Sequence, residues 1–176
     1  MNIVIRQETS FDHDVVFSLV EKAFRGVKHS DNREHFLVER LRRSEVFIPE
    51  LSLVAEVGNE IVGHILLTKI KIENDTPTFD SLALAPVSVL PEFQGKGVGG
   101  KLIADAHDRA KELGYASIIL LGEPKYYSRF GYVPAKTYNI YLPFEGVEEF
   151  SMAIELTENA LQNVSGTVAY PKEFYE

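Results

Sequence analysis

The run Gln94-Gly95-Lys96-Gly97-Val98-Gly99-Gly100-Lys101 limits the fold of this chain more than any other stretch. It lies between an apolar strand, residues 80–90, and a helix with the stripe Leu102, Ile103, Ala106, Ala110 and Leu113. Gly114 ends that helix, and residues 116–121, Ala-Ser-Ile-Ile-Leu-Leu, form a short apolar strand after it. A glycine loop opening a helix offers several unpaired N–H groups and the positive end of the helix dipole, about half a charge. Together these make a phosphate site.

The flanks contain no second crossover of this kind. Residues 2–6 read as a strand. Phe11, Val15, Val16, Leu19, Val20, Ala23 and Phe24 form a helical stripe behind Ser10, its expected N-cap. Asn32 is the expected cap of a second helix carrying Phe36, Leu37 and Leu41. Residues 51–57 and 61–72 are apolar strands joined by Gly58-Asn59, a hairpin signature. Pro86 falls inside the strand at 80–90, which suits a bulge or an unpaired edge. Two more strands are expected near 137–142 and 150–156. The order predicts an α/β fold of the α+β-like kind: one mixed sheet with a single strand–helix–strand crossover, not a repeated βαβ array.

At 176 residues the chain is one domain's worth, with no repeat and no linker. It has no cysteine, which excludes disulfides, thiolate zinc sites, iron–sulfur clusters and a cysteine nucleophile. No metal-ligand set is visible. Eighteen Lys and Arg against 26 Asp and Glu give a formal charge of −8, which argues against a nucleic-acid partner. An anionic ligand would have to be held locally, by backbone N–H groups and a few placed cations. No apolar run is long enough to span a bilayer. The start, Met1 to Arg6, lacks a secretory layout, so the expected location is the cytoplasm.

The glycine loop fits three patterns. Gly95, Gly100 and Lys101 fit the nucleoside-triphosphate loop G-x-x-x-x-G-K, but Leu102 stands where a magnesium-ligating Ser or Thr belongs. Gly95, Gly97 and Gly100 fit the dinucleotide pattern G-x-G-x-x-G, with Glu123 placed as a ribose partner. There the loop should follow its strand at once, whereas Pro91-Glu92-Phe93-Gln94 intervenes. Gln94, Gly97 and Gly99 fit Q-x-x-G-x-G, and a second motif follows one strand later: Tyr126-Tyr127-Ser128-Arg129-Phe130-Gly131-Tyr132.

The run Val87 to Gln94, the loop and the tyrosine segment, in this order, resemble the GNAT superfamily of N-acetyltransferases. The resemblance implies a GNAT-type fold: a mixed central sheet with a splayed strand pair and flanking helices. It implies one domain over residues 1–176, with a cofactor-binding core at 80–135. It implies that backbone groups of Val87, Ser88 and Val89 pair with the pantetheine amides of acetyl-CoA. Gln94, Gly95, Lys96, Gly97, Val98, Gly99 and Gly100 would take the pyrophosphate, and Tyr127 would protonate the departing CoA sulfur. Lys96 and Lys101 would screen phosphate charge or stand in solvent. Arg129 would be structural or lie near the phosphates, and Tyr126 is the expected core partner of Tyr127. The chain departs from the family in one place, where Gly122-Glu123-Pro124-Lys125 replaces most of a longer helix.

Acetyl transfer from a thioester to an amine needs an oriented carbonyl, a proton acceptor for the ammonium and a donor for the thiolate. It needs no covalent intermediate, which suits a chain without cysteine. Glu123, His29, Glu34 and His64 are the candidate bases, while His13, His35 and His107 read as surface residues. Phe24, His29 and Phe36 are candidate walls of an acceptor site. The expected partners are acetyl-CoA and a small-molecule or peptide amine, for a monomer or homodimer with no membrane contact. A CoA-binding sensor without turnover and a nicotinamide-binding protein are the competing functions.

Overall fold

The computed structural model describes all 176 residues. The chain folds as two compact units, Met1–Thr68 with Ala85–Arg109 and Lys69–Leu84 with Ala110–Glu176.

The first unit holds four strands in the order β1-β2-β3-β4: Ile3–Gln7, Phe47–Val57, Glu60–Glu73 as far as Thr68, and Thr78–Val89 from Ala85. β1 and β2 are antiparallel, from Ile3 opposite Val57 to Gln7 opposite Leu53. β2 and β3 form the expected hairpin, turning at Gly58 with φ +63°. Helices α1 (His13–Phe24) and α2 (Glu34–Arg42) bury Val16, Leu19, Val20, Val38 and Leu41. Helix α3 (Val98–Glu112) follows the glycine loop and buries Leu102, Ile103 and Ala106. Its first turns sit on Gly63 of β3, where a Cβ would lie 2.9 Å from Leu102 Cδ1 and Val98 Cγ1. The missing side chain at Gly63 lets the start of α3 approach the sheet closely.

The second unit continues β3 and β4 and adds five strands. β9 (Gly166–Ala169) pairs antiparallel with the end of β3, and β7 (Ile140–Tyr141) pairs parallel with β9. β5 (Ser117–Leu121) pairs parallel with β4 through only two positions, Leu82 opposite Ile118 and Ala83 opposite Ile119. That short ladder is the splayed pair. β8 (Ser151–Glu155) lies antiparallel to β5, and β6 (Val133–Pro134) to β8. Ile70, Ile72, Ile119, Ile140, Leu161 and Val168 centre the core.

The architecture is the mixed sheet with one crossover that the sequence predicts. Several local expectations need correction. Helix α1 starts at His13, because Asp12 accepts hydrogen bonds from the Thr9 N–H (2.7 Å) and hydroxyl (3.0 Å), so Ser10 is not the cap. Phe11 therefore stands in a 3-10 turn, 94% exposed, and leaves the stripe. Asn32 adopts φ +59° ahead of α2 and does not cap it. The strand expected at 137–142 shrinks to β7, because the chain turns through Asn139 at φ +57°. β9 carries no sequence signal strong enough to predict it. Pro86 lies inside β4 after a cis peptide bond, three residues beyond Ala83, the last position of the ladder with β5.

Candidate active site

The glycine loop leaves β4 through a 3-10 turn, Pro91–Phe93. Gln94 folds back, its Nε2 donating to the Val89 carbonyl at 3.0 Å, which ties the loop to the strand. Gly95 and Gly97 take φ +73° and +88°, in the left-handed region that favours glycine, and neither has an atom within 4 Å of a built Cβ. The Lys101 N–H donates to the Gly97 carbonyl at 3.1 Å, closing the first turn of α3. The N–H groups of Val98, Gly99 and Gly100 precede the first donor of the helical ladder, so α3 leaves them for a ligand or water. Gly95, Lys96 and Gly97 are exposed. Lys96 rests its ammonium 5.5 Å from the Phe93 ring. Leu102 is fully buried against Gly63, so the triphosphate-loop pattern has no magnesium ligand there. No group of three His, Cys, Asp or Glu side chains stands close enough to hold a metal ion.

Val87 and Val89 are half-buried on β4, and Ser88 between them is 2% exposed. The Ser88 hydroxyl is buried and has no hydrogen-bond partner.

Behind the strands of this unit lies a buried polar cluster that joins β1, α2, β2 and β3. Glu8 accepts from Arg42, through both Nη2 and Nε, and from the Ser52 hydroxyl at 2.6 Å. His64 Nε2 is 3.2 Å from the Ser52 hydroxyl oxygen and 3.7 Å from Glu8 Oε1. Burial favours the protonated carboxyl of Glu8, but His64 and Arg42 beside it outweigh that and hold its pKa down to about 2. His64 is fully buried, and that burial lowers its pKa although Glu8 pulls the other way. Both groups therefore bind fewer protons folded than unfolded at acid pH, so stability rises with pH there. Folding stability is expected to hold above pH 6.5, to fall below it as unfolded His64 protonates, and to fall again between about 4.5 and 2 through Glu8. Denaturant midpoints taken from pH 8 to pH 3 check this, and a flat curve would contradict it.

Glu123 is exposed and caps the helix that follows it through its backbone carbonyl. His29 is exposed, at φ +69° in the loop before α2. Glu34 accepts the Ser30 hydroxyl at 2.5 Å. His35, read as surface, is buried: its ring meets Phe17 edge-on at 4.7 Å and lies over Phe36 at 4.2 Å, because α2 turns it toward α1. His13 and His107 are half-buried, not fully solvated. Phe24 is half-buried, and Phe36 is 42% exposed.

In the second unit, Gly122 and Pro124 lead into a four-residue helix, α4 (Pro124–Tyr127), and a 3-10 turn that ends at Gly131 with φ +98°. The burial of the two tyrosines is the reverse of the expected one, with Tyr127 in the core and Tyr126 outside it. Tyr127 is 9% exposed and meets Tyr132 edge-on at 5.8 Å, while Tyr126 is half-buried. The Arg129 guanidinium lies 4.6 Å from the Tyr126 ring centre, and its Nε donates to the Tyr126 carbonyl at 3.2 Å. Arg129 thus covers Tyr126, and the ring beneath is Tyr127. Burial, with Tyr126 beside it, pushes the Tyr127 phenol well above its usual range, so it stays protonated at neutral pH. Tyr127 sits directly against Gly122, where a Cβ would come 2.2 Å from ring atom Cε2. Gly122→Ala is expected to displace the ring and cost about 1–3 kcal/mol by overpacking, read as a lower unfolding midpoint. An unchanged midpoint would mean the ring has room to move.

The Glu8, Arg42 and Ser52 cluster is absent from the sequence reading. Its members are 34 and 44 residues apart in the chain, and no local spacing marks them.

Residues 4–135 match the family model of the GNAT acetyltransferase domain. The chain is 26% identical over 172 residues to the uncharacterized N-acetyltransferase YhbS of Escherichia coli, covering 98% of each. It is 40% identical over 105 residues, 58% of this chain and 57% of that protein, to the uncharacterized N-acetyltransferase YjhQ of E. coli. The structure of YhbS in complex with CoA superposes with a TM-score of 0.90 at 25% identity, over 100% of this chain and 93% of that one. A GNAT family acetyltransferase from Brucella melitensis in complex with acetyl-CoA gives a TM-score of 0.78 at 30% identity, over 98% of both chains.

Proposed function

The chain belongs to the GNAT acetyltransferase family, and we propose that it moves an acetyl group from acetyl-CoA to an amine by direct attack on the thioester. The observation that carries this is the loop itself: two left-handed glycines leading into the N-terminus of a 15-residue helix, at the end of a strand whose ladder with β5 stops at Ala83. The main-chain N–H groups from Gly95 to Gly100 hold the pyrophosphate, with Gln94 fixing the loop's exit from β4. Lys96 screens phosphate charge from the loop's outer side. Backbone groups of Val87, Ser88 and Val89 extend to the pantetheine amides as an added strand would. Held this way, the carbonyl meets the amine at a fixed distance, so little entropy is lost in the transition state. Tyr127, kept protonated by burial, donates to the sulfur as the C–S bond breaks.

The whole chain works as one acetyltransferase domain, as a monomer or homodimer in the cytoplasm, on a small-molecule or peptide amine. No helix is long and apolar enough to cross a membrane. The test is ligand-induced stabilisation without added metal. Acetyl-CoA at about 100 times Kd is expected to stabilise the fold by about 2.7 kcal/mol, read as a raised unfolding midpoint, and NADH is expected to do nothing. A response to NADH alone, or a magnesium requirement for binding, would overturn the proposal.

A further inference from the structure

The second unit holds a cavity of about 140 Å³ between β7, the loop that follows it and the start of β8. Ile140, Leu142, Phe144 and Val147 give it an apolar wall. Ile140 and Leu142 are buried, and Phe144 is held by Tyr170 and Tyr175, whose ring centres lie 5.3 and 6.0 Å from its own. Ser151 also lines the cavity, but its hydroxyl proton goes to the Val147 carbonyl at 2.8 Å, so it offers a ligand no donor. Lys136 and Glu148 bring opposite charges to the lining, and both are exposed. The cavity therefore opens to water at a charged edge.

A void of about 150 Å³ with apolar walls accepts benzene. This wall thus fits an aromatic ring or a branched aliphatic side chain. The edge fits a carboxylate at Lys136 and an ammonium at Glu148. An α-amino acid with an apolar side chain carries all three groups. An amine without the carboxylate leaves Lys136 unused, and an acid without the amine brings like charge toward Glu148.

The cavity also stands beside the proposed chemistry. Ser151 faces Leu121, the last residue of β5, and the next residue, Gly122, donates its N–H to the Phe150 carbonyl at 2.9 Å. Tyr127 rests on Gly122. The cavity wall and the donor to sulfur therefore share one strand end.

We propose that this cavity holds the apolar side chain of the acceptor, and that the acceptor is an α-amino acid whose amine takes the acetyl group. The inference rests on reading Tyr127 as the donor to the CoA sulfur. The ammonium gives one proton to water, the freed lone pair forms the C–N bond, and the C–S bond breaks toward sulfur. Sulfur takes the Tyr127 proton, and the proton lost from the new amide nitrogen restores the phenol.

The experiment is calorimetric titration of the full chain, with CoA present, with phenylalanine, phenethylamine, phenylpropionate and free glycine. Phenylalanine is expected to bind. Phenethylamine and phenylpropionate should bind about fivefold more weakly, each for want of one exposed ion pair. Free glycine should bind about thirtyfold more weakly, for want of the buried ring. Lys136→Gln should erase the advantage over phenethylamine, and Glu148→Gln the advantage over phenylpropionate. Val147→Phe fills the cavity from a half-buried position and should weaken phenylalanine binding by about thirtyfold. Circular-dichroism midpoints check that each variant folds, and the two exposed substitutions carry the test if Val147→Phe does not. With acetyl-CoA, mass spectrometry should show N-acetylphenylalanine. Equal affinity for the three ring compounds, or an unchanged affinity in folded Val147→Phe, overturns the inference. Acetylation of phenethylamine but not of phenylalanine overturns it too, and leaves the acetyltransferase reading intact. If no amine is acetylated and acetyl-CoA does not stabilise the fold, that reading has failed and the acceptor assignment with it.

Discussion

Gly97→Val is expected to weaken acetyl-CoA binding by about a hundredfold, near 2.8 kcal/mol, while the fold survives. Gly97 holds φ +88° at the last position before α3. A β-branched side chain in the left-handed region costs roughly 1–2 kcal/mol, and the loop can relieve that only by turning its peptide planes. Turning them swings the N–H groups away from the phosphate. The valine methyls also occupy the open space from which a phosphate oxygen approaches, since nothing of the protein lies within 4 Å of that Cβ. Gly146→Val is the matched control. It has φ +72° and equally open space, so it carries the same backbone strain. Calorimetric titration with acetyl-CoA should show a large loss for Gly97→Val and none for Gly146→Val. Equal affinities in the two would place the phosphate site elsewhere.

What the sequence made legible follows from how local each signal is. The β4–loop–α3–β5 crossover was readable because its elements are contiguous and its glycines mark backbone geometry directly, as Gly95 and Gly97 do. The hairpin at Gly58 was readable for the same reason. The start of α1 is not legible in the sequence because Ser10, Asp12 and Thr9 are all plausible caps, and the choice depends on where the Asp12 carboxylate goes. It goes to Thr9 and to Arg6 of β1, a contact no periodicity shows. The burial of His35 is not legible in the sequence because the phase of a nine-residue helix decides which way it points. The polar cluster of Glu8, Arg42, Ser52 and His64 was out of reach altogether, since it joins four elements far apart in the chain. Only the fold brings an isolated strand histidine next to a carboxylate.

The tyrosine pair tests the chemistry, and the structure has changed what should be expected of it. Tyr127→Phe is expected to lower kcat by about a hundredfold or more, the usual worth of a general acid, and to leave acetyl-CoA affinity nearly unchanged. The substitution removes one hydroxyl and keeps the ring that packs against Gly122 and Tyr132. A phenol pushed above its usual range is fully protonated at neutral pH, so the donor is always loaded. A raised pKa also makes it a weaker acid, matched to a thiolate only while the sulfur is strongly basic. The loss should therefore be largest for acyl donors whose thiols are poor leaving groups, and it should shrink as the leaving thiol becomes more acidic. Tyr126→Phe is the internal comparison. Its ring lies under the Arg129 guanidinium, and removing its hydroxyl should change kcat by no more than a few fold. Steady-state rates for both variants with two acyl donors of different thiol acidity decide the matter. Small and equal losses would mean that the sulfur leaves without a tyrosine. A large loss in Tyr126→Phe alone would move the donor role one residue back, to the half-exposed ring, and would make Tyr127 a packing residue set by Gly122.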